Sequence, residues 1–195
     1  MAKTKTASTA TTKVPASSKT APADSKMAST VAASTLDELF ITGLKEMYWT
    51  ENHLVKNLPK MVAAAGSSTL QTTFDKHLKV TQTQASRLES IFETLGEKVA
   101  AQKCDAMEGL AMDGEHVIEN TVAGTEARDT GLIMAGLKVE NFEITCYTGL
   151  IQLATTLGQS DIAAQLQQSL AEEQQADVLL TELSQKEGSK NDAQA

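Results

Sequence analysis

The fold is decided most clearly by residues 126–157, which read EARDTGLIMAGLKVENFEITCYTGLIQLATTL. Small or apolar side chains recur there every three or four positions, which is the spacing of one face of an α-helix. Glu140 and Glu143 interrupt this face at its centre, one helical turn apart. Gly158 follows, as is typical after the last turn of a helix. The stretch therefore predicts a long helix with apolar ends and an acidic middle.

The same helical period recurs in the segments on either side. It predicts helices over about 35–65, 67–96 and 160–186, and a shorter helix over about 104–122. Aromatic residues make up only 4% of the chain, and strands usually draw on aromatic and β-branched residues. Four long helices and one short helix, joined by brief turns, predict an all-α bundle of long antiparallel helices with an additional short helix.

Acidic residues lie at the centre of the inward face of three long helices. The candidate metal ligands are Glu51, Glu140, Glu143, Glu173 and Asp177, with Glu172 beside them. Antiparallel packing brings the helix centres to one level, so these side chains should converge. Burying one unpaired carboxylate costs several kcal/mol, which is comparable with a domain's whole stability of about 5–15 kcal/mol. A pair of bridged divalent cations is the simplest way to make the cluster tolerable.

The second long helix has a polar but uncharged centre formed by His77, Thr81 and Gln84. A hydrogen-bonded core histidine is favoured for His77 over a metal ligand. Tyr147 either donates a hydrogen bond to a ligating carboxylate or simply fills the core. An alternative stays open for all the acids, because they would face water if the bundle were splayed or the helix faces wrongly assigned.

Four segments together resemble the YciE/YciF-type ferritin-like stress proteins. These are LKEMY at 44–48 with Glu51, CDAMEGL at 104–110, KVENFEI at 138–144 and LAEEQQAD at 170–177. The resemblance covers about residues 35–186 and implies a ferritin-like four-helix bundle, commonly dimeric, with a dinuclear metal site. By position, the family's acidic sites match Glu51, Glu140, Glu143, Glu172 or Glu173, and Asp177, and Gln84 stands where a ligand could be glutamine or histidine.

The chain departs from the family pattern at two positions. Val80 stands where relatives tend to carry glutamate, and Asn141 where a histidine is often found. Two functions therefore stay open. The first is a stress-response protein with a carboxylate-rich pair of iron or manganese ions, which handles iron or reactive oxygen species. The second is a non-catalytic dimeric helical stress protein with a degenerate site, one or both metals being lost. Whether the protein is an enzyme is left open.

The charge of the chain and the composition of its two ends limit the partners that it can have. The net charge is −8, yet residues 1–34 carry five lysines and one acid. Their Ala, Ser, Thr and Lys composition predicts a disordered tail, and residues 188–195 are expected to be disordered as well. The acidic remainder of the chain disfavours binding to anionic membranes. It also disfavours binding to nucleic acid, which only the tail would contact. No apolar run approaches the length of a membrane span. Two cysteines form no disulfide framework, so a reducing, cytoplasmic compartment is expected, and the family resemblance implies a homodimer.

Overall fold

The computed structural model describes Met1 and residues 33–192. Its helices are α1 (Leu36–Ala64), α2 (Ser68–Thr94), α3 (Asp105–Asn120), α4 (Glu126–Thr156) and α5 (Ser160–Asp192). Within the described part of the chain there is no strand. The predicted bundle of four long helices and one short helix is confirmed. None of these helices is both long and apolar enough to cross a membrane.

The helix boundaries follow from local chemistry. Thr35 accepts a hydrogen bond from the backbone N–H of Glu38, and the Glu38 carboxylate accepts one from the backbone of Thr35, which is a capping box. The far end of α5 differs from the prediction, since the helix continues through Gly188 to Asp192. A glycine inside a helix costs only about 1 kcal/mol, and no proline follows to stop it. The predicted end of this helix near residue 186 is therefore wrong. The predicted N-terminal tail lies outside the described residues except for Met1 and residues 33–34.

Neighbouring long helices run antiparallel. Tyr48 near the middle of α1 meets Glu89 in the last third of α2, and Gly66 after α1 donates to Asp129 at the start of α4. The chain between α2 and α3 crosses α1, where the backbone N–H of Gln102 donates to the carbonyl of Lys45 at 3.1 Å. The short helix α3 then lies along α1 and α4 and returns the chain to the other end of the bundle. This crossover is what makes α4 antiparallel to α1.

Two apolar cores fill the two ends of the bundle. The first includes Phe40, Leu44, Leu88, Ile91, Leu150 and Leu166. The second includes Leu58, Leu70, Phe74, Met107, Leu132 and Leu180. Buried polar side chains separate them, and we call these the polar layer: Glu51, His77, Thr81, Gln84, Glu140, Glu143 and Glu173. The helix centres thus meet at one level, as the interrupted apolar faces predict.

Candidate metal centre

The polar layer holds four glutamates from three helices. Glu51 on α1 and Glu173 on α5 are 0% exposed, and Glu143 and Glu140 on α4 are 1% and 3% exposed. Each replaces an apolar residue on the inward face of its helix, so the same packing that buries the leucines buries these carboxylates. Their full ionisation would place four negative charges in a region with little water.

His77 on α2 joins three of these glutamates in one compact group. A ligand atom from each of His77, Glu140, Glu143 and Glu173 lies within 4.8 Å of the others. Nε2 of His77 lies 3.3 Å from Oε1 of Glu140 and 3.8 Å from Oε2 of Glu173. Imidazole nitrogen and carboxylate oxygen are ligands that iron and manganese accept in proteins. The group has the composition and the spacing of a metal-binding site.

Neutral donors hold two of the carboxylates in place. The hydroxyl of Tyr147 donates to Oε1 of Glu51, and Nε2 of Gln84 donates to Oε1 of Glu173. In each case the second carboxylate oxygen is left without a partner. These hydrogen bonds orient the two carboxylates while keeping one oxygen of each available to a cation.

Among the described residues, the buried side-chain atoms without a hydrogen-bond partner are concentrated in this layer. They are Oε2 of Glu51, Nε2 of His77, Oε1 of Gln84, Oε2 of Glu140, both carboxylate oxygens of Glu143 and Oε2 of Glu173, together with Oγ1 of the adjacent Thr50. Buried polar atoms in proteins are normally paired. Apart from the Thr50 hydroxyl and the imidazole nitrogen, these atoms are acceptors only unless a carboxyl is protonated. Cations or protons must therefore complete the site, and the donor set fits a metal.

Burial also shifts the ionisation of these groups. Loss of hydration raises the pKa of Glu51, Glu140 and Glu143 well above the usual carboxyl range, and the charge of Glu173 raises all three further. The same loss of hydration lowers the pKa of His77, which favours the neutral imidazole that binds metals. Without a cation, the cluster would therefore retain protons on carboxyl groups near neutral pH.

Two of the sequence-predicted ligands lie outside the polar layer. Arg87 binds both carboxylate oxygens of Glu172 at 2.9 Å and also donates to Ser169. Asp177 is partly exposed and accepts a hydrogen bond from Asn141 at 2.9 Å. The structure thus divides the predicted acids, with Glu172 and Asp177 already paired and Glu51, Glu140, Glu143 and Glu173 left facing one another.

His77 is a candidate metal ligand that the sequence does not single out. The sequence favours a hydrogen-bonded core histidine at this position, yet its Nε2 has no hydrogen-bond partner and lies among carboxylates. The available signal was its register, because His77, Thr81 and Gln84 lie on one face of α2 at the level of the acids. For Tyr147 the structure combines both interpretations, since the ring is fully buried and its hydroxyl binds Glu51.

Comparisons with known proteins agree with this architecture. Residues 35–193 match the family described as a domain of unknown function, DUF892. The chain is 37% identical over 150 residues to Protein YciF of Escherichia coli, covering 76% of this chain and 90% of that protein. The crystal structure of the E. coli stress protein YciF matches with a TM-score of 0.78 and 35% identity, covering 81% of this chain and 99% of that one. YcfI of Rhodopseudomonas palustris, suggested to be a structural protein, matches with a TM-score of 0.73 and 33% identity over 75% of this chain and 93% of that one.

Proposed function

The chain belongs to the DUF892 family, and from the chemistry of its polar layer we propose that it is a ferritin-like stress-response protein with a dinuclear metal site. The metals are two divalent ions, iron or manganese, and the role is the handling of iron or of reactive oxygen species. Its similarity to the stress protein YciF supports the stress role. The buried donor set supports the metal site.

The single observation that carries the proposal is the set of unpartnered acceptors between the two apolar cores. Four buried carboxylates carry a formal charge of −4 when ionised, which two divalent ions would balance. The residues that would hold the ions are Glu51, His77, Glu140, Glu143 and Glu173, with Oε1 of Gln84 as a further neutral ligand. Since Glu172 is neutralised by Arg87, it need not be counted in this balance.

When bound, iron or manganese supplies redox chemistry toward dioxygen or peroxide. The protein's own residues set the conditions for it. Tyr147 and Gln84 fix the orientation of Glu51 and Glu173. The apolar cores above and below the layer exclude bulk water, which strengthens the attraction between the carboxylates and a cation. Arg87 keeps Glu172 away from the centre.

Elemental analysis after anaerobic loading with Fe²⁺ or Mn²⁺ tests the proposal. We expect about two ions per chain after removal of excess metal, because the donor set and its charge suit a bridged pair. The matched control is the Glu140→Gln, Glu143→Gln variant, which keeps the side-chain shapes and removes two charges. A content below about 0.1 ion per chain in the wild type would contradict the proposal, since a specific site should fill at saturating metal.

A second candidate function is a non-catalytic helical stress protein whose site is degenerate. It is supported by the raised pKa values of Glu51, Glu140 and Glu143, which allow protons to replace metal. Under this alternative, added metal leaves the melting temperature of the wild type unchanged. Under the metal proposal, metal at 100 times its Kd stabilises the wild type by about 2.7 kcal/mol, or about 5–10 °C, and leaves the double variant unchanged.

A homodimer in the cytoplasm completes the proposal. Exposed apolar side chains such as Met134 and Val178, at 57% and 54% exposure, support self-association. Cys104 and Cys146 are free thiols, as a reducing compartment would keep them. Light scattering coupled to gel filtration tests the dimer, and a mass of one chain, 20.8 kDa, at micromolar concentration would contradict it.

A further inference from the structure

An apolar cavity of about 40 Å³ lies beside the polar layer, where α1, α3 and α4 meet. Apolar atoms form almost all of its wall surface, and the apolar lining residues include Leu54, Leu58, Met61, Phe74, Leu110 and Val139. A buried water needs two to four polar partners, and few polar atoms line this cavity. The cavity therefore suits an uncharged guest better than water or an ion.

The two ends of the cavity differ in chemistry. His77 and Glu140 line its inner end, and Nε2 of His77 and Oε2 of Glu140 are buried without a hydrogen-bond partner. Lys60 and Glu115 line its outer end, where they form an ion pair at 2.5 Å between α1 and α3. The cavity thus extends from a partly exposed ion pair to the edge of the candidate metal centre.

The wall at α3 lies close to Met61. A Cβ at Gly114 on α3 would meet Sδ of Met61, which also lines the cavity, at 3.2 Å. By contrast, a Cβ at Gly109, also on α3, would meet nothing within 4 Å. Added volume at position 114 would therefore narrow the cavity, whereas added volume at 109 would not.

A second cavity reaches the same two residues from the opposite side, between α2 and α5. It has a volume of about 240 Å³ and is lined by Lys76, Glu172 and Gln175 as well as His77 and Glu140. Six waters occupy about 180 Å³ at the density of liquid water, so a hydrated cation fits this space. The apolar cavity is too small for one. Ions thus have a wider approach to the centre, lined in part by charged side chains, that does not pass through the apolar cavity.

We propose that the apolar cavity is a binding and access site for a small uncharged molecule of the size and polarity of dioxygen. Its guest would meet the centre at His77 and Glu140. Delivery of the guest to the metal centre rests on the proposed metal function. Binding of the guest in the cavity does not, because the cavity is formed by side chains alone. The two claims can therefore fail separately.

Xenon binding to the full-length, metal-free protein tests the cavity, with methyl resonances as the readout. Xenon occupies dry apolar cavities in proteins. We expect saturable shifts confined to methyl groups around Met61 and Ala111. Filling the cavity with Ala111→Phe should weaken xenon binding by about tenfold or more. Ala106→Phe is the matched control, because Ala106 is exposed on the same helix.

A smaller change guards against misfolding of the phenylalanine variant. Gly114→Ala should weaken xenon binding, whereas Gly109→Ala should not, since both changes raise helix propensity equally but only one adds volume to the cavity. Absence of saturable xenon shifts in the wild type, or equal affinities for the members of both variant pairs, would overturn the proposal.

Metal loading of the same proteins separates this inference from the proposed function. Loss of xenon binding in Ala111→Phe with unchanged iron content, and slower oxidation of that iron by dissolved dioxygen, is the expected result. Xenon binding without any metal binding would refute the metal function and leave the cavity site standing. Metal binding without xenon binding, or equal oxidation rates for Ala111→Phe and Ala106→Phe, would refute the cavity as the access route.

Discussion

The hydroxyl of Tyr147 on α4 donates a hydrogen bond to Oε1 of Glu51 on α1, and both side chains are fully buried. The bond joins the first apolar core to the polar layer, because the tyrosine ring packs among leucines while its hydroxyl faces the carboxylates. One oxygen of Glu51 is thereby paired and the other is left without a partner. A carboxylate held in this way is oriented for a cation and costly to leave without one.

Tyr147→Phe should destabilise the protein by about 1–3 kcal/mol, because it leaves a buried carboxylate oxygen without its donor. Urea unfolding of the metal-free protein measures this. Tyr48→Phe is the control, since Tyr48 donates to Glu89 at 2.7 Å in an exposed pair, where the loss should stay below about 1 kcal/mol. If the two variants lost equal free energy of unfolding, the buried hydrogen bond would contribute no more to stability than the exposed one.

Removing one carboxylate charge among His77, Glu140, Glu143 and Glu173 should weaken metal binding. Removing a carboxylate charge outside these four residues should not. We expect Glu173→Gln to lower the affinity for Mn²⁺ by about tenfold or more, because Glu173 lies among the three other ligands. Asp177→Asn should leave the affinity unchanged, since Asp177 is partly exposed and already paired with Asn141. Isothermal titration calorimetry gives both values. A larger effect at Asp177 than at Glu173 would show that the metal lies elsewhere.

The metal-free protein should become less stable as pH rises. Folding raises the pKa of Glu51, Glu140 and Glu143, so the folded state binds more protons than the unfolded state above the usual carboxyl range. Stability from these groups is complete below about pH 4.3 and is lost as pH rises through their folded pKa values. The lowered pKa of His77 acts in the opposite sense, but only below about pH 6.5.

Thermal melts between about pH 6.5 and about pH 8 isolate the carboxyl effect. We expect the melting temperature of the metal-free wild type to fall over this range and that of Glu140→Gln, Glu143→Gln to fall less. Bound metal should remove the fall, because metal displaces the protons from its ligands. A flat profile for the metal-free wild type would show that its carboxyl groups are not buried as described.

Two glycines of α4 should respond in opposite directions to alanine. A Cβ at Gly136 would approach Cδ1 of Leu180 to 2.9 Å, so the side chain of Leu180, which is itself buried, would have to shift. Gly149 is exposed and a Cβ there meets nothing within 4 Å. Gly149→Ala should stabilise by about 0.5–1 kcal/mol, and Gly136→Ala should destabilise by about 1–3 kcal/mol. Chemical denaturation measures both, and two equal shifts would contradict the close packing of α4 against α5.

The fold was predictable because its information is local and repeated. Each helix carries its own apolar period, and local signals such as the Thr35 cap and the turn at Gly158 mark where helices begin and end. The level at which the acids meet was predictable for the same reason, since antiparallel helices of similar length bring their centres together. The C-terminal end of α5 was not predictable, because a single glycine such as Gly188 destabilises a helix only slightly and the rest of the helix can offset that cost.

The membership of the site was only partly predictable. The helical periodicity of the sequence places Glu173 on the inward face of α5, and the Glu173 side chain is buried in the structure. Periodicity does not predict that Arg87, one turn beyond Gln84 on α2, binds Glu172, or that Asn141 binds Asp177. Such pairings depend on the rotation of each helix against its neighbour. The same rotation brings His77 among the carboxylates.

Anomalous diffraction from crystals grown with Mn²⁺ or Fe²⁺ tests the central claim most directly. The account predicts metal peaks inside the polar layer, within about 2–2.5 Å of oxygens of Glu140, Glu143 and Glu173 and of Nε2 of His77. Peaks confined to the protein surface at saturating metal, with these four side chains bound only to one another, would contradict it.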